Sequence, residues 1–132
     1  YTDGACDRNG DLDAEARAGA HFPANPEDDI STCVPGRVDQ MNNSGEALAI
    51  LLTIKKLPKE GDVIIRSDSQ IMIDALTINL PRIAAEGWTE YGNRVVLELT
   101  IAFLKDRPGK VFFEKVKGHS GDTGNDRADE LA

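Results

Sequence analysis

The sequence is short of the features that mark several whole classes of protein. Two cysteines, Cys6 and Cys33, in 132 residues are too few for a disulfide framework. That scarcity fits a reducing, intracellular setting in which both thiols are free. No apolar run approaches the ~20 residues a membrane-spanning helix needs, and no segment resembles a signal peptide. Cations are scarce too: 15 Lys and Arg stand against 23 Asp and Glu, for a net charge of -8. Affinity for nucleic acid rests largely on cations that neutralise phosphates, so any such substrate is expected to bind this domain weakly. Much of the acidity is local. Asp7, Asp11, Asp13, Glu15, Glu27, Asp28 and Asp29 are met over that stretch only by Arg8 and Arg17.

What is present suits one globular domain with a single core, since 132 residues at 40% hydrophobic leave no room for a second. The chain opens on what reads as the end of a strand and closes within a helical pattern. The expectation is a single domain spanning residues 1–132, excised from a longer chain. Tyr1 to Cys6 reads as a strand, followed by a polar turn on Asn9-Gly10. Ala16 to Phe22 and Ile30 to Val34 supply two more strands of an antiparallel meander. From Ser44 to Leu57 the spacing of Leu48, Leu51, Leu52 and Ile54 predicts a helix that Pro58 and Gly61 stop, with Glu46 in its first turn. Val63, Ile64 and Ile65 form a short apolar run, expected to be a strand buried on both faces, with Asp68 at its carboxyl end. Helices are expected from Ser69 to Ile78 and from Asn93 to Lys105, with an irregular region at Pro81 to Gly92 between them. Lys110 to Val116 is the last strand, and Asn125 is the expected cap of a final helix. A meander followed by alternating strands and helices implies a mixed α/β sheet.

Four acidic residues far apart in the chain, Asp3, Glu46, Asp68 and Asp129, fall where these elements would bring them to one rim of the sheet. Taken singly, each has an ordinary structural explanation: a turn, a first-turn charge, a helix cap, a solvated helix face. Taken together they suggest a site for divalent cations, because converging carboxylates repel one another without them. His119, between Gly118 and the Ser-Gly-Asp-Thr-Gly loop, is placed to move protons near neutral pH. His21, on the second strand, has no such setting and is read as structural. Asp7 to Asp13 looks superficially like a calcium loop, but Leu12 stands at the required glycine and Ala18 at the required glutamate, which excludes it.

Four blocks carry a more specific signal: Tyr1-Thr-Asp-Gly-Ala-Cys6, Met41-Asn-Asn-Ser-Gly-Glu-Ala-Leu-Ala49, Arg66-Ser-Asp-Ser-Gln70, and Gly118-His-Ser-Gly followed after five residues by Arg127-Ala-Asp-Glu-Leu-Ala132. In kind, order and coverage they resemble the signature blocks of type 1 ribonucleases H. The resemblance implies a five-stranded mixed sheet of order 3-2-1-4-5 flanked by helices, with Asp3 beside Asp68 and Cys6 parted from Cys33 by a strand. It implies an endonuclease that hydrolyses the RNA strand of an RNA/DNA hybrid by two-metal-ion catalysis, leaving 3′-hydroxyl and 5′-phosphate ends. Asp3, Glu46, Asp68 and Asp129 match the carboxylates that hold two Mg²⁺ ions, or Mn²⁺ in their place, and His119 matches the mobile-loop histidine. Gly4, Cys6, Asn42, Asn43 and Gln70 match contacts to the RNA strand, and Asn93 a DNA-phosphate contact or a helix cap. Where the family carries Arg and Thr in a phosphate pocket this chain has Asp39 and Met41, with Arg37 a nearby substitute. The family's basic protrusion is depleted to Pro81-Arg-Ile-Ala-Ala-Glu-Gly-Trp88. A monomer is expected, with any further nucleic-acid-binding domain in the parent protein. Two other readings stay open: the ribonuclease H portion of a reverse transcriptase or retroelement polyprotein, and a non-catalytic binding module on the same fold.

Overall fold

The computed structural model describes residues 1–36, 40–81, 94–118 and 121–132. Arg37, Asp39, Trp88, Asn93 and His119 lie outside these residues. Five strands form one sheet: β1 (Thr2–Asp7), β2 (Glu15–Ala20), β3 (Ile30–Cys33), β4 (Val63–Ser67) and β5 (Val111–Lys115). Their order is β3-β2-β1-β4-β5, antiparallel in the opening meander and parallel from β1 onward. This is the mixed sheet expected from the sequence. Cys6 and Cys33 are free, and β2 stands between their strands.

Four helices are among the described residues: α1 (Asn42–Lys56), α2 (Gln70–Leu76), α3 (Arg94–Asp106) and α4 (Thr123–Leu131). The buried residues of α1 recur with helical period, and Ala47, Ile50, Leu51 and Ile54 pack into the core with Ile65, Met72, Leu76, Val96 and Leu97. On the sheet, Gly4 pairs with Ala18 and Asp3 with Gly19, so Gly4 and Gly19 face opposite ways. A β-carbon on Gly4 would run into α1 and one on Gly19 into α4, which sets these two helices on opposite faces of the meander.

Three local expectations are corrected. Ile64 is 54% exposed while Ile65 is 1% exposed, so β4 is buried on one face only. A three-residue apolar run carries no information on which side is covered. Helix α1 starts two residues earlier than expected, after an extended Met41, which puts Glu46 in the second turn, buried, and not among first-turn charges. The final helix is capped by Asp122, whose side chain accepts a hydrogen bond from the Asn125 amide, while Asn125 lies buried within the helix.

Candidate active site

Asp3 sits in β1 beside the single residue pair, Thr2 with Ser67, that joins β1 to β4 in parallel. Asp68 follows β4 directly, so the parallel pairing carries both acids to the same end of the sheet. The chain turns there because Ser67 Oγ accepts from the Ser69 amide at 3.0 Å, and Ser69 caps α2 by accepting from the Met72 amide at 3.3 Å. Lys115, at the end of β5, donates its ammonium to the Asp68 carbonyl oxygen. Chain at Gly118 also passes close by: a β-carbon there would stand 2.7 Å from Asp68 Oδ2.

Glu46 reaches the same place from α1, and two glycines make this geometry attainable. A β-carbon on Gly4 would collide with the Glu46 amide nitrogen, and one on Gly45 with the Arg17 carbonyl oxygen. Strand and helix backbones therefore meet at a distance only glycine allows. Gly45→Ala should destabilise the protein by about 3 kcal/mol, the upper range for overpacking, because the obstacle is backbone. Chemical denaturation of the variant checks this, and a change under 1 kcal/mol would show that the backbones separate without strain.

The outcome is a cluster in which one carboxylate oxygen each from Asp3, Glu46 and Asp68 lie within 4.8 Å of one another. Asp3 is 5% exposed and Glu46 7%. Burial pushes the Asp3 carboxyl up to about 7, aided by Asp129 and Asp68, while the Gly4 amide at 2.9 Å from Oδ1 and Glu46 partly counteract it. Glu46 is pushed up to about 10 by burial first, then by the charge of Asp3, a hydrogen bond to Asp3 and the charge of Asp68. Both acids resist ionising where they stand. Asp129 is exposed on α4 and lies close enough to Asp3 for side-chain hydrogen bonding, but it is not in the three-oxygen group. Glu46 Oε2 is buried with no hydrogen-bond partner among the described residues. A hard-oxygen donor set with a buried unsatisfied oxygen suits a divalent cation such as Mg²⁺ or Mn²⁺.

A family model described as RNase H matches residues 1–132. The chain belongs to the RNase H family. Among its relatives, ribonuclease H of Schizosaccharomyces pombe is 36% identical over the whole chain, which spans 50% of that protein. Ribonuclease H of Bordetella avium is 31% identical, with 85% of its length covered, and that of Francisella philomiragia is 32% identical, with 86% covered. RNase H is a nuclease family of the hydrolase class.

Between the β1–β2 turn and the start of α1, the RNase H fold here opens a hollow of about 400 Å³ lined by Asn9, Gly10, Gln40, Met41, Asn42 and Asn43. The sequence singled out Asn42 and Asn43. Asn9 was read only as part of a turn, and Gln40 was missed because nothing in its neighbourhood marks it. Gln40 accepts from the Ala16 amide at 2.7 Å and donates to the Val34 and Pro35 carbonyls, so it ties β2 to the chain ahead of α1. Cys6 Sγ borders this region, 3.5 Å from the Gln40 carbonyl oxygen. Gln70 opens α2 next to Asp68, and its amide donates to Asp74 Oδ1 at 2.7 Å. His21 does not join the acids; its ring pairs with Asp29, as its structural reading requires. Lys115 was not anticipated either, since no local pattern links it to Asp68.

Proposed function

We propose that this domain is an endonuclease that hydrolyses the RNA strand of an RNA/DNA hybrid with two divalent cations, leaving 3′-hydroxyl and 5′-phosphate ends. The observation that carries the reading is the convergence of Asp3, Glu46 and Asp68 within 4.8 Å, with a buried, partnerless Glu46 oxygen, in a chain of the RNase H family. Asp3, Glu46, Asp68 and Asp129 would hold the cations, Mg²⁺ by preference with Mn²⁺ able to replace it. A pair of cations held by these residues would supply polarisation of the scissile phosphate and a lowered pKa for an attacking water.

The chain's own groups do the rest. Glu46 and Asp3 hold protons in the metal-free state and release them as the site charges. Asn42, Asn43, Gly4, Cys6 and Gln70 face the RNA strand, where 2′-hydroxyls distinguish it from DNA, and Asn93 contacts a DNA phosphate. His119 carries a proton to or from the reacting phosphate. The net charge of -8 favours an arrangement in which this domain borrows affinity from another nucleic-acid-binding element of its parent protein. A reverse transcriptase or retroelement polyprotein is one such parent. The domain itself works as a monomer in an intracellular compartment. None of its helices among the described residues is long and apolar enough to cross a membrane.

The test is cleavage of end-labelled RNA in a hybrid, with DNA duplex and RNA duplex as controls, in Mg²⁺. Only the hybrid's RNA strand should be cut; equal cleavage of hybrid and RNA duplex would overturn the proposed substrate. His119→Ala should slow turnover by roughly 10², the range of a lost general acid or base, with Mn²⁺ binding unchanged in calorimetry. A loss of metal affinity in that variant would remove His119 from the proton-transfer role.

A further inference from the structure

Asp29 is a partly buried carboxylate set apart in sequence from the acidic cluster and unused by the chemistry above; its side chain is 9% exposed. It accepts from the Phe22 amide at 2.8 Å and pairs with His21 Nδ1 at 2.9 Å. A third partner comes from α4, where the half-exposed Arg127, hydrogen-bonded through Nη1 to Glu130 at 3.0 Å, also forms an ion pair with Asp29, Nε lying 3.7 Å from Oδ2. Burial pushes the Asp29 carboxyl up, but the Phe22 amide, the His21 ring and the Arg127 charge more than offset it and hold it below its ordinary value. Asp29 thus stays charged at the junction of β2, β3 and α4. A second tie runs from Ser31 Oγ, which donates to the Leu131 carbonyl at 2.6 Å. Helix α4 also carries Asp129, the one acid of the four that is exposed, which lies outside the three-oxygen group and within hydrogen-bonding reach of Asp3. Arg127 and Asp129 are two positions apart, roughly 200° around the helix, so an anchor on Arg127 fixes the rotation that turns Asp129 toward Asp3.

We propose that Asp29 and Arg127 are positioning residues that hold α4 in the rotation and register at which Asp129 completes the cation site. The proposal rests on the reading of Asp129 as a cation ligand. His21 supports it from behind: its own backbone pairs with Tyr1 in both directions, the amide donating to the Tyr1 carbonyl at 2.8 Å and the carbonyl accepting from the Tyr1 backbone nitrogen at 3.0 Å. The Asp29 carboxylate is thereby fixed to the end of the β1–β2 ladder, the same ladder that carries Asp3.

The experiment is titration of the metal-free protein with Mn²⁺, followed by calorimetry, in Asp29→Asn, Arg127→Met, Arg127→Lys, Asp129→Asn and the Arg127→Met/Asp129→Asn double variant. Asp29→Asn and Arg127→Met should each weaken Mn²⁺ binding roughly 10-fold, the scale for loss of a group that orients a ligand. Arg127→Lys should recover part of that loss. In the double variant Arg127→Met should add nothing to the effect of Asp129→Asn, because no ligand remains to be positioned. Lower melting temperatures with unchanged Mn²⁺ affinity, or losses that add in the double variant, would overturn the proposal. Should Arg127→Met fail to fold, Asp29→Asn in the presence and absence of Asp129→Asn gives the same comparison. If Asp129→Asn alone leaves Mn²⁺ affinity intact, the ligand reading fails and the proposal with it. That result differs from one in which Asp129→Asn weakens binding and Arg127→Met does not, which overturns the positioning role alone.

Discussion

Asp3→Asn should lower the rate of hybrid cleavage by about 10³ or more, a loss of at least ~4 kcal/mol of transition-state stabilisation, while the fold is retained. The side chain is nearly isosteric, and its local acceptor role toward the Gly4 amide survives in the amide oxygen. What disappears is the charge at the centre of the cluster: Asp3 lies within hydrogen-bonding reach of Glu46 and Asp129 and within 4.8 Å of an Asp68 oxygen. Asp68→Asn should be nearly as damaging. Single-turnover rates at saturating hybrid and Mg²⁺ separate this from a binding defect. Asp3→Asn within tenfold of the parent would mean that the acids do not act as one site.

Glu46→Gln should melt higher than the parent in EDTA at pH 7, by roughly 3 to 4 kcal/mol in stability, and gain less from added Mg²⁺. The sign follows from protonation. Glu46 has a folded pKa raised to about 10 from an ordinary 4.5. Above pH 4.5 the unfolded chain therefore ionises this group while the folded protein must keep it protonated. Stability of the metal-free protein falls with rising pH through that window, by ~1.4 kcal/mol per unit for one group, which sets the size of the effect at pH 7. Asp3, raised to about 7 from 3.8, adds a slope of the same sign over its narrower window. Gln does not titrate, so the variant's pH profile should be flatter. Mg²⁺ opposes the trend in the parent, since binding to the folded state alone adds about 2.7 kcal/mol at 100 times the dissociation constant. Melting curves at pH 5 and 8, in EDTA and in Mg²⁺, check both parts. A metal-free parent more stable at pH 8 than at pH 5, with Glu46→Gln showing the same slope, would contradict the buried cluster. Stability given up at a functional site is the expected pattern.

The individual elements were legible because each block of residues carries its own local instruction, whereas the strand order and the meeting of Asp3 with Asp68 came only from the resemblance of the four blocks to the ribonuclease H signature. Asn9-Gly10 turns β1 into β2, the apolar spacing of α1 is helical, and the strand begun by Val63 to Ile65 is followed by Asp68. The depth of Glu46 was not legible. It depends on Gly4 and Gly45 admitting a close approach between backbones 41 residues apart in sequence, and neither glycine has a local turn to announce it. The same holds for the exposure of Ile64, which is decided by which face of the sheet the helices cover. Asp122 and Asn125 are both capable caps, and only the folded turn selects Asp122. The contacts from Lys115 to Asp68 and from Gln40 to β2 are tertiary and have no periodic signature at all.

The most direct test of the central claim is the chemistry of the cut ends. A hybrid with internally labelled RNA, incubated with the protein in Mg²⁺ and in EDTA, should yield RNA fragments with 5′-phosphate and 3′-hydroxyl termini in Mg²⁺ and no cleavage in EDTA. Those ends require water, not the neighbouring 2′-hydroxyl, as the nucleophile, the water that the proposed cations would activate. Cleavage that persists in EDTA, or fragments ending in a 2′,3′-cyclic phosphate, would contradict it.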